Sequence, residues 1–594
     1  MKRSIPLILT LGSLLLSGCT FLPATGEILD GDSMVARDVA LYDQMGYAKQ
    51  EKEEGSASIA AHSLGTATFY TPLGQTHNLY CRFDSYWKLL KPQLAPDYSI
   101  TTNVSGKVEL VTVAYKRDAV YQAMIDYGER TITYAGSLSS FHRYAKDYSL
   151  STLNLGSQNQ QAVVYGRQGE TVESFADMTA PIYRRDGRYY MPYGMLESIF
   201  VPEIGFCGYY NGNAIFQTES VYDLNKAAAD SKGYGKEILD EATENFALNY
   251  PSYLDRVDRD ALYYALTNRY GLAKERGIGS MTSFLNGKDT TSRMLKGNEN
   301  NAKGRAIFDV FAALDDDHSG VRNLASWAGM TRDGYSRGPN SNARNEMGTV
   351  LQARRELAYK ARGVEVGDVL YHDDVALFAF DSFSFAEKAY EEDGKTLRPD
   401  LYEEDTYFLF RKNFAEIAGH SEVKKVVLDV SLNGGGTIGV LFKLLGYVAQ
   451  GQRDNLTYIR YDDMGMVLQI DSKVDLNGDG EVGDKDIFGR HYDFYILTSE
   501  CSFSCGNAFP YYARNALGAK TIGRNSGGGE CIVGSGYLPM GVDFVFSSKM
   551  HLGSFNRLSD EFVGDEGGAG IDIALDVEKF YDLSAISHLL AESK

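Results

Sequence analysis

The chain of 594 residues carries 79 acidic against 59 basic side chains, a net charge of −20, with 44% hydrophobic and 12% aromatic residues. This is enough chain to bury sizeable cores in about three or four domains. The acidic balance excludes a nucleic-acid partner and electrostatic adhesion to anionic lipid.

Residues 1–18 read as a signal peptide rather than as part of the fold. Lys2-Arg3 supply a positive start, Ile5 to Leu16 an apolar stretch, and Leu16-Ser17-Gly18-Cys19 matches the lipobox of bacterial lipoproteins. Cys19 would then become an acylated N-terminus. Several acyl chains hold a soluble domain to a membrane where one chain would not. The expected location is the cell envelope, outside the cytoplasm and lipid-anchored. Residues 19–60 are expected to be a tether.

From 61 to 220 short alternating runs such as Thr66 to Tyr70, Val108 to Tyr115 and Val163 to Tyr165 predict a β-rich module for binding or spacing. Within it, Ala180 to Tyr193 loosely resembles the small β-rich repeats named after the copper amine oxidase N-terminal domain. No cluster of His ligands accompanies the motif, so it implies no copper. From 221 to 320 helical periodicity dominates, for example at Ile238 to Leu248 and Asp258 to Tyr270, predicting a helical domain that closes at His318. There Asp315-Asp316-Asp317-His318 follows an apolar run from Ala306. By itself such a histidine fits a solvated or helix-capping loop.

Residues 321–594 read as an α/β domain. Val375 to Phe380 begins its sheet, and the segment between His318 and that strand is too short for a PDZ domain. Val426 to Val430 is a buried-type strand that runs through Asn433-Gly434-Gly435-Gly436 into an apolar helical run, Val440 to Val448. The glycines let a backbone approach a reacting group closely. No Lys-Ser/Thr follows them, which disfavours a nucleotide loop. At 475–486, Asp475, Asn477, Asp479 and Asp486 stand at positions 1, 3, 5 and 12 of a twelve-residue loop with Gly480 at 6, a pattern similar to the calcium loops of dockerins. With the Glu481 carbonyl added, a structural Ca2+ is expected. Farther on, Phe494 to Thr498 is a strand, Ser502-Phe503-Ser504-Cys505-Gly506-Asn507 a tight turn, and Ala508 to Leu517 a helix whose first N–H groups face the turn.

Taken together, these stretches resemble the tail-specific and tricorn-core family of serine peptidases, whose hallmarks are a strand ending Asn-Gly-Gly-Gly, a Thr-x-Ser-x-x-Glu turn and a later Gly-rich strand end. Here Asn433 to Gly436 match the first. Ser502 to Asn507 match the second, with Ser for Thr and Asn507 for Glu. Ser526-Gly527-Gly528-Gly529 stands where Ser/Lys members have Phe-Gly-Lys-Gly, and no lysine follows until Lys549. The resemblance therefore points to the tricorn-like branch, with Ser504 as nucleophile, His318 as general base and Glu566 as orienter, Asp565 or Glu561 being fallbacks. It also implies backbone oxyanion donors at Cys505 and at Gly435 or its neighbour, and a crotonase/ClpP-like sheet with helices. The implied activity is hydrolysis of peptide bonds in a peptide or protein substrate, with no cofactor for catalysis. Two alternatives stay open: a catalytically inactive surface binding protein on the same fold, and an esterase-type acyl hydrolase, although Gly-x-Ser-x-Gly is lacking around Ser504. Five cysteines follow Cys19, and Cys531 with Cys501 or Cys505 is the bridge expected if any forms.

Overall fold

The computed structural model describes residues 27–43, 62–91, 98–115, 119–136, 160–166, 169–200, 207–210, 212–218, 252–288, 300–324, 338–386, 388–391, 396–451 and 456–593. The expected signal peptide, Cys19 and the predicted helix over 238–248 lie outside them. No helix among the described residues is long and apolar enough to cross a membrane.

The first strands begin earlier than expected. Ile28–Asp30 and Val35–Asp43 belong to an eight-stranded sheet with Ile182–Arg185, Arg188–Pro192, Tyr80–Cys81, His62–Thr71, Ala214–Thr218 and Cys207–Tyr210. The tether predicted over 19–60 is thus corrected for 28–43. Val39 and Leu41 are buried in the core while the intervening Asp38 is exposed and Ala40 and Tyr42 are half-buried, which is the strand period. A five-stranded antiparallel sheet, Tyr98–Ser105 to Glu170–Ser174, completes the β-rich part.

Helices Ser252–Arg269, Met281–Gly287 and Asn300–Leu314 follow, as periodicity predicts. They do not make a separate domain. Ala261, Leu262, Leu266, Val310 and Phe311 share one core with Tyr86, Trp87 and Phe200 of the β-rich part, and with Leu538, Val542 and Phe544 near the C-terminus. Sequence periodicity shows which face of a helix is apolar, not what covers it.

The second body is a six-stranded sheet in the order Leu370–His372, Val375–Ala379, Lys425–Asp429, Asp493–Thr498, Lys520–Gly523, Ile573–Ala574, parallel except at the first pair. Val375 and Leu377 face helices Pro339–Arg362 and Leu583–Glu592. Ala376 and Phe378 face helices Thr406–Ile417, Ile438–Val448 and Cys505–Leu517. Both sheet faces are therefore covered, which is why these strands read as unbroken apolar runs. Asp405 caps the Thr406–Ile417 helix by accepting from the N–H groups of Tyr407 (2.9 Å) and Phe408 (3.2 Å).

A seven-stranded sheet joins the two bodies. Its longest strand, Val542–Asn556, pairs with Gly320–Leu324, Leu456–Tyr461, Cys531–Leu538 and Glu561–Gly564. Gly320–Leu324 starts two residues after His318, so this sheet fixes where His318 stands relative to the parallel sheet.

Candidate active site

Lys425–Asp429 and Asp493–Thr498 are adjacent parallel strands. The glycine turn 434–436 and the Ser504 turn leave their C-terminal ends side by side, where open α/β sheets place their sites. The two turns are bonded together: the Phe503 N–H donates to the Asn433 carbonyl at 3.0 Å, and Asn433 Nδ2 donates to the Phe380 carbonyl at 3.0 Å. Gly506 is required at this crossing, since a Cβ there would stand 2.1 Å from the Asn433 carbonyl oxygen. Within the turn, Ser502 Oγ donates to the Val430 carbonyl at 2.7 Å, and the Ser504 N–H donates to the Gly528 carbonyl at 2.9 Å.

Ser504 itself sits at φ 57°, ψ −126° as N-cap of Cys505–Leu517, without using its hydroxyl as a cap. A non-glycine residue held there is strained by about 1–3 kcal/mol, and such strain concentrates at functional sites. The Oγ is thereby left for other chemistry. Gly435 presses against it: at φ 107°, a Cβ on Gly435 would stand 2.6 Å from Ser504 Cβ and 3.0 Å from Oγ. The Gly435 N–H is already given to Asn433 Oδ1 at 2.9 Å. The Gly435 N–H, expected from the resemblance as an oxyanion donor, is therefore engaged in this geometry.

His318 lies against this turn. Its ring centroid is 4.6 Å from that of Phe503, the residue before Ser504. Burial lowers its pKa below 6.5, Asp316 and Asp317 work in the opposite direction, and Arg344 adds to the lowering. The loop is held by Asp316, whose Oδ1 accepts from the His318 N–H at 3.1 Å and whose Oδ2 accepts from Ser319 Oγ at 2.6 Å. Asp317 pairs with Arg344, and the Arg344 guanidinium lies 4.4 Å above the Phe503 ring. The aspartate run that reads from sequence as a solvated loop is in fact folded onto the Ser504 turn. Phe503 and Arg344 carried no signal in the sequence, because their role arises only from that docking.

Glu566 is placed in the wall of the site, but its carboxylate is engaged elsewhere. It accepts from the Gly529 N–H (3.0 Å), the Glu530 N–H (3.1 Å) and Arg276 Nη2 (3.0 Å), while His318 Nδ1 is buried with no hydrogen-bond partner. The orienting contact expected from the resemblance is therefore not made in this geometry. Burial raises the Glu566 pKa, and its backbone donors and Arg276 oppose that rise. The fallback Asp565 is fully buried, and both its carboxylate oxygens lack partners. Burial, then the charges of Glu530 and Glu566, push its carboxyl well above the usual range. The other fallback, Glu561, is exposed on the strand Glu561–Gly564. Asn507, which stands in the place of the family's Glu, is fully buried and structural. Its Nδ2 donates to the Asp565 carbonyl at 3.0 Å, and its Oδ1 accepts from Ser526 Oγ at 2.6 Å.

Cys81, Cys207, Cys501, Cys505 and Cys531 are all buried free thiols. The bridge expected at Cys531 is not formed, since each of the three sulfurs near the site faces a different group: Cys501 the Arg344 carbonyl, Cys505 the Gly436 carbonyl, and Cys531 the His551 ring.

In the 475–486 loop, Asp475 accepts from the N–H groups of Gly478 (2.6 Å) and Gly480 (2.8 Å), and Asn477 Oδ1 from that of Asp479 (2.7 Å). Asp479 Oδ1 accepts from Glu481 (3.0 Å), and the buried Asp486 from Leu476, Asn477 and Gly483. These side chains are thus engaged by the loop's own backbone, and the Asp475, Asp479 and Asp486 carboxylates do not converge within ligand distance of one another, so the expected ligand set is not assembled in this geometry. Such all-oxygen donors are of the type that suits a hard cation.

Residues 397–546 match the model of Peptidase family S41. No curated protein sequence matches the chain. Among solved structures, a putative peptidase from Parabacteroides merdae is 17% identical over 57% of this chain and 97% of its own, with a TM-score of 0.39. A lipoprotein from Streptococcus agalactiae is 13% identical over 57% and 96%, with a TM-score of 0.34. Mature CPAF complexed with lactacystin is 13% identical over 58% and 98%, with a TM-score of 0.36. The matched residues include the glycine turn at 434–436 and the Ser504 turn that packs on it, so the part of the chain that is similar to the serine-type peptidases of family S41 is the part that builds this site.

Proposed function

We propose that the protein hydrolyses peptide bonds with Ser504 as nucleophile and His318 as general base. The observation that carries this reading is the strained Ser504 at a helix head, with Gly435 against its side chain and His318 stacked on the preceding Phe503. Ser504 Oγ attacks the substrate carbonyl while a ring nitrogen of His318 takes the hydroxyl proton. The oxyanion is met by the Cys505 N–H and a donor of the 434–436 turn. Loss of one such donor costs about 3 kcal/mol of transition-state stabilisation. The amine leaves with the proton from His318, and water repeats the sequence on the acyl-enzyme. Asp316 and Asp317 favour the imidazolium by charge. Glu566 acts at one remove, fixing the 529–530 backbone and through it the Gly528 carbonyl that holds the Ser504 N–H.

A fluorophosphonate probe should label the wild type and not Ser504→Ala, and a peptide library should then be cleaved only by the wild type. Cleavage by Ser504→Ala would remove Ser504 from the mechanism. A second reading, a binding protein without turnover, is favoured by the unpartnered His318 Nδ1; absence of labelling in the folded wild type would support it, whereas labelling without cleavage of any peptide would point to an esterase-type acyl hydrolase.

The lipobox at Leu16 to Cys19 further supports an exported, lipid-anchored protein. Partition into detergent that is lost in Cys19→Ser would test this. For the 475–486 loop we propose one structural Ca2+ held by Asp475, Asn477, Asp479, Asp486 and the Glu481 carbonyl, at roughly 10⁻⁵ to 10⁻³ M. Calorimetric titration should find that site in the wild type and lose it in the double variant Asp475→Ala, Asp479→Ala. Thermal stability unchanged by calcium and chelator alike would leave only an acidic turn.

A further inference from the structure

A second group of reactive side chains lies behind the Ser504 turn, outside the chemistry above. Cys531 and His551 are directly opposed partners on the antiparallel strands Cys531–Leu538 and Val542–Asn556, so their side chains share a face. Cys531 Sγ stands 3.6 Å from His551 Nδ1, and Glu530 Oε1 stands 2.7 Å from the same nitrogen. One ligand atom from each of the three residues lies within 4.8 Å of the other two, and all three residues are buried.

We propose that Glu530, Cys531 and His551 form a binding site for a thiophilic divalent cation of the Zn2+ class. In a tetrahedral zinc site, metal–ligand bonds of about 2.0 to 2.3 Å put neighbouring ligand atoms about 3.3 to 3.6 Å apart. The sulfur–nitrogen separation already meets that requirement. The oxygen–nitrogen separation is that of a hydrogen bond and must open by about 0.6 Å, within reach of a carboxylate rotation. A thiolate and an imidazole select a soft or borderline cation, which sets this site apart from the all-oxygen loop at 475–486.

Two further observations fit a metal site. Asp462 Oδ2 lies 3.2 Å from His551 Nε2, on the far side of the ring from Cys531, as an ion-pair contact off hydrogen-bond alignment. A carboxylate behind a histidine in this way directs the other nitrogen at a metal. Glu530 Oε2 accepts from the Glu566 N–H at 2.9 Å, which leaves Oε1 pointing to the histidine. A water takes the fourth position. Binding replaces the proton on Cys531 Sγ and the one shared by His551 Nδ1 and Glu530, so two protons leave to solvent for each cation bound. Uptake therefore weakens as pH falls.

The test uses Co2+ as a coloured stand-in for Zn2+ on the full-length protein, first stripped with chelator. One equivalent should produce a thiolate-to-cobalt charge-transfer band, and Zn2+ should bleach it. Cys531→Ser and His551→Gln should each lose the band while keeping the wild-type circular dichroism. Should either variant fail to fold, wild-type protein titrated with Zn2+ and then alkylated settles the matter, with Cys531 protected at least about tenfold and the other thiols unchanged. Absence of the band in the wild type, its survival in Cys531→Ser, or alkylation of Cys531 that is indifferent to Zn2+ would overturn the proposal.

Discussion

The His318 ring lies 4.6 Å from the Phe503 ring at an interplanar angle of 55°, and Phe503 is bonded to Ser504 through a single peptide. One aromatic side chain therefore spaces the proposed base from the proposed nucleophile, and Arg344 closes its other side at 4.4 Å. Phe503→Leu keeps most of the apolar volume but removes the flat face. We expect kcat to fall by about 10²-fold with KM little changed, the usual consequence of slightly misplaced reacting groups. Steady-state kinetics on a chromogenic peptide would check this, and an unchanged kcat would show that the stacking is incidental.

The pH profile should carry the mark of a buried histidine. Burial lowers the His318 pKa below the ordinary 6.5, and the neutral ring is the form that accepts a proton. The rate should accordingly be on its plateau at pH 7 and be lost as pH falls through an apparent pKa below 6.5. Stability follows the same sign: the native state takes the proton less readily than the unfolded chain, so this group costs stability as pH drops from 6.5 through the folded value. An acid limb centred above pH 7 would contradict the assignment.

Gly435→Ala should be severe for two separable reasons. Its φ of 107° disfavours any side chain, and the new methyl would stand 2.6 Å from Ser504 Cβ. Strain alone costs about 1–3 kcal/mol, and the clash displaces the serine whose position matters most. Denaturant unfolding together with fluorophosphonate labelling should register both losses; wild-type labelling would mean that the turn relaxes at no functional cost.

Asn507 offers a test of the position at which the resembled family carries a glutamate. Asn507→Ala leaves the Asp565 carbonyl and the Ser526 hydroxyl each short of a partner, in a fully buried place. A loss of about 2–4 kcal/mol is expected from denaturant unfolding. Asn507→Glu should lower stability as well and should not raise activity, because it buries a charge beside Asp565. Higher activity in Asn507→Glu would assign the position a catalytic rather than a structural part.

The parallel sheet was legible in the sequence because its strands are covered on both faces and read as continuous apolar runs, as at Val375 to Phe380 and Val426 to Val430. The Ser504 and Gly435 turns were legible through the family resemblance, because a strand running into glycines fits a structural turn equally well when read alone. What could not be read was long-range pairing. Gly320–Leu324 is only partly buried, and its partner Val542–Asn556 lies near the other end of the chain. The same limit hid the partners of Glu566: an acidic residue in a glycine-rich loop gives no hint that Arg276 and the 529–530 backbone will claim it. The strand Val35–Asp43 was missed because the consecutive charged residues Arg37 and Asp38 interrupt its apolar alternation in the sequence.

The seating of His318 on a strand whose partner is Val542–Asn556 also sets an order of events during synthesis. A growing chain has already made its histidine when Ser504 emerges, but the strand segment that fastens the histidine's loop does not exist until residues 542–545 have been added. The Glu566 wall comes later still. A partly made polypeptide thus holds the parts of a peptidase without the distances between them, and hydrolytic competence waits for nearly the last stretch of the 594-residue chain.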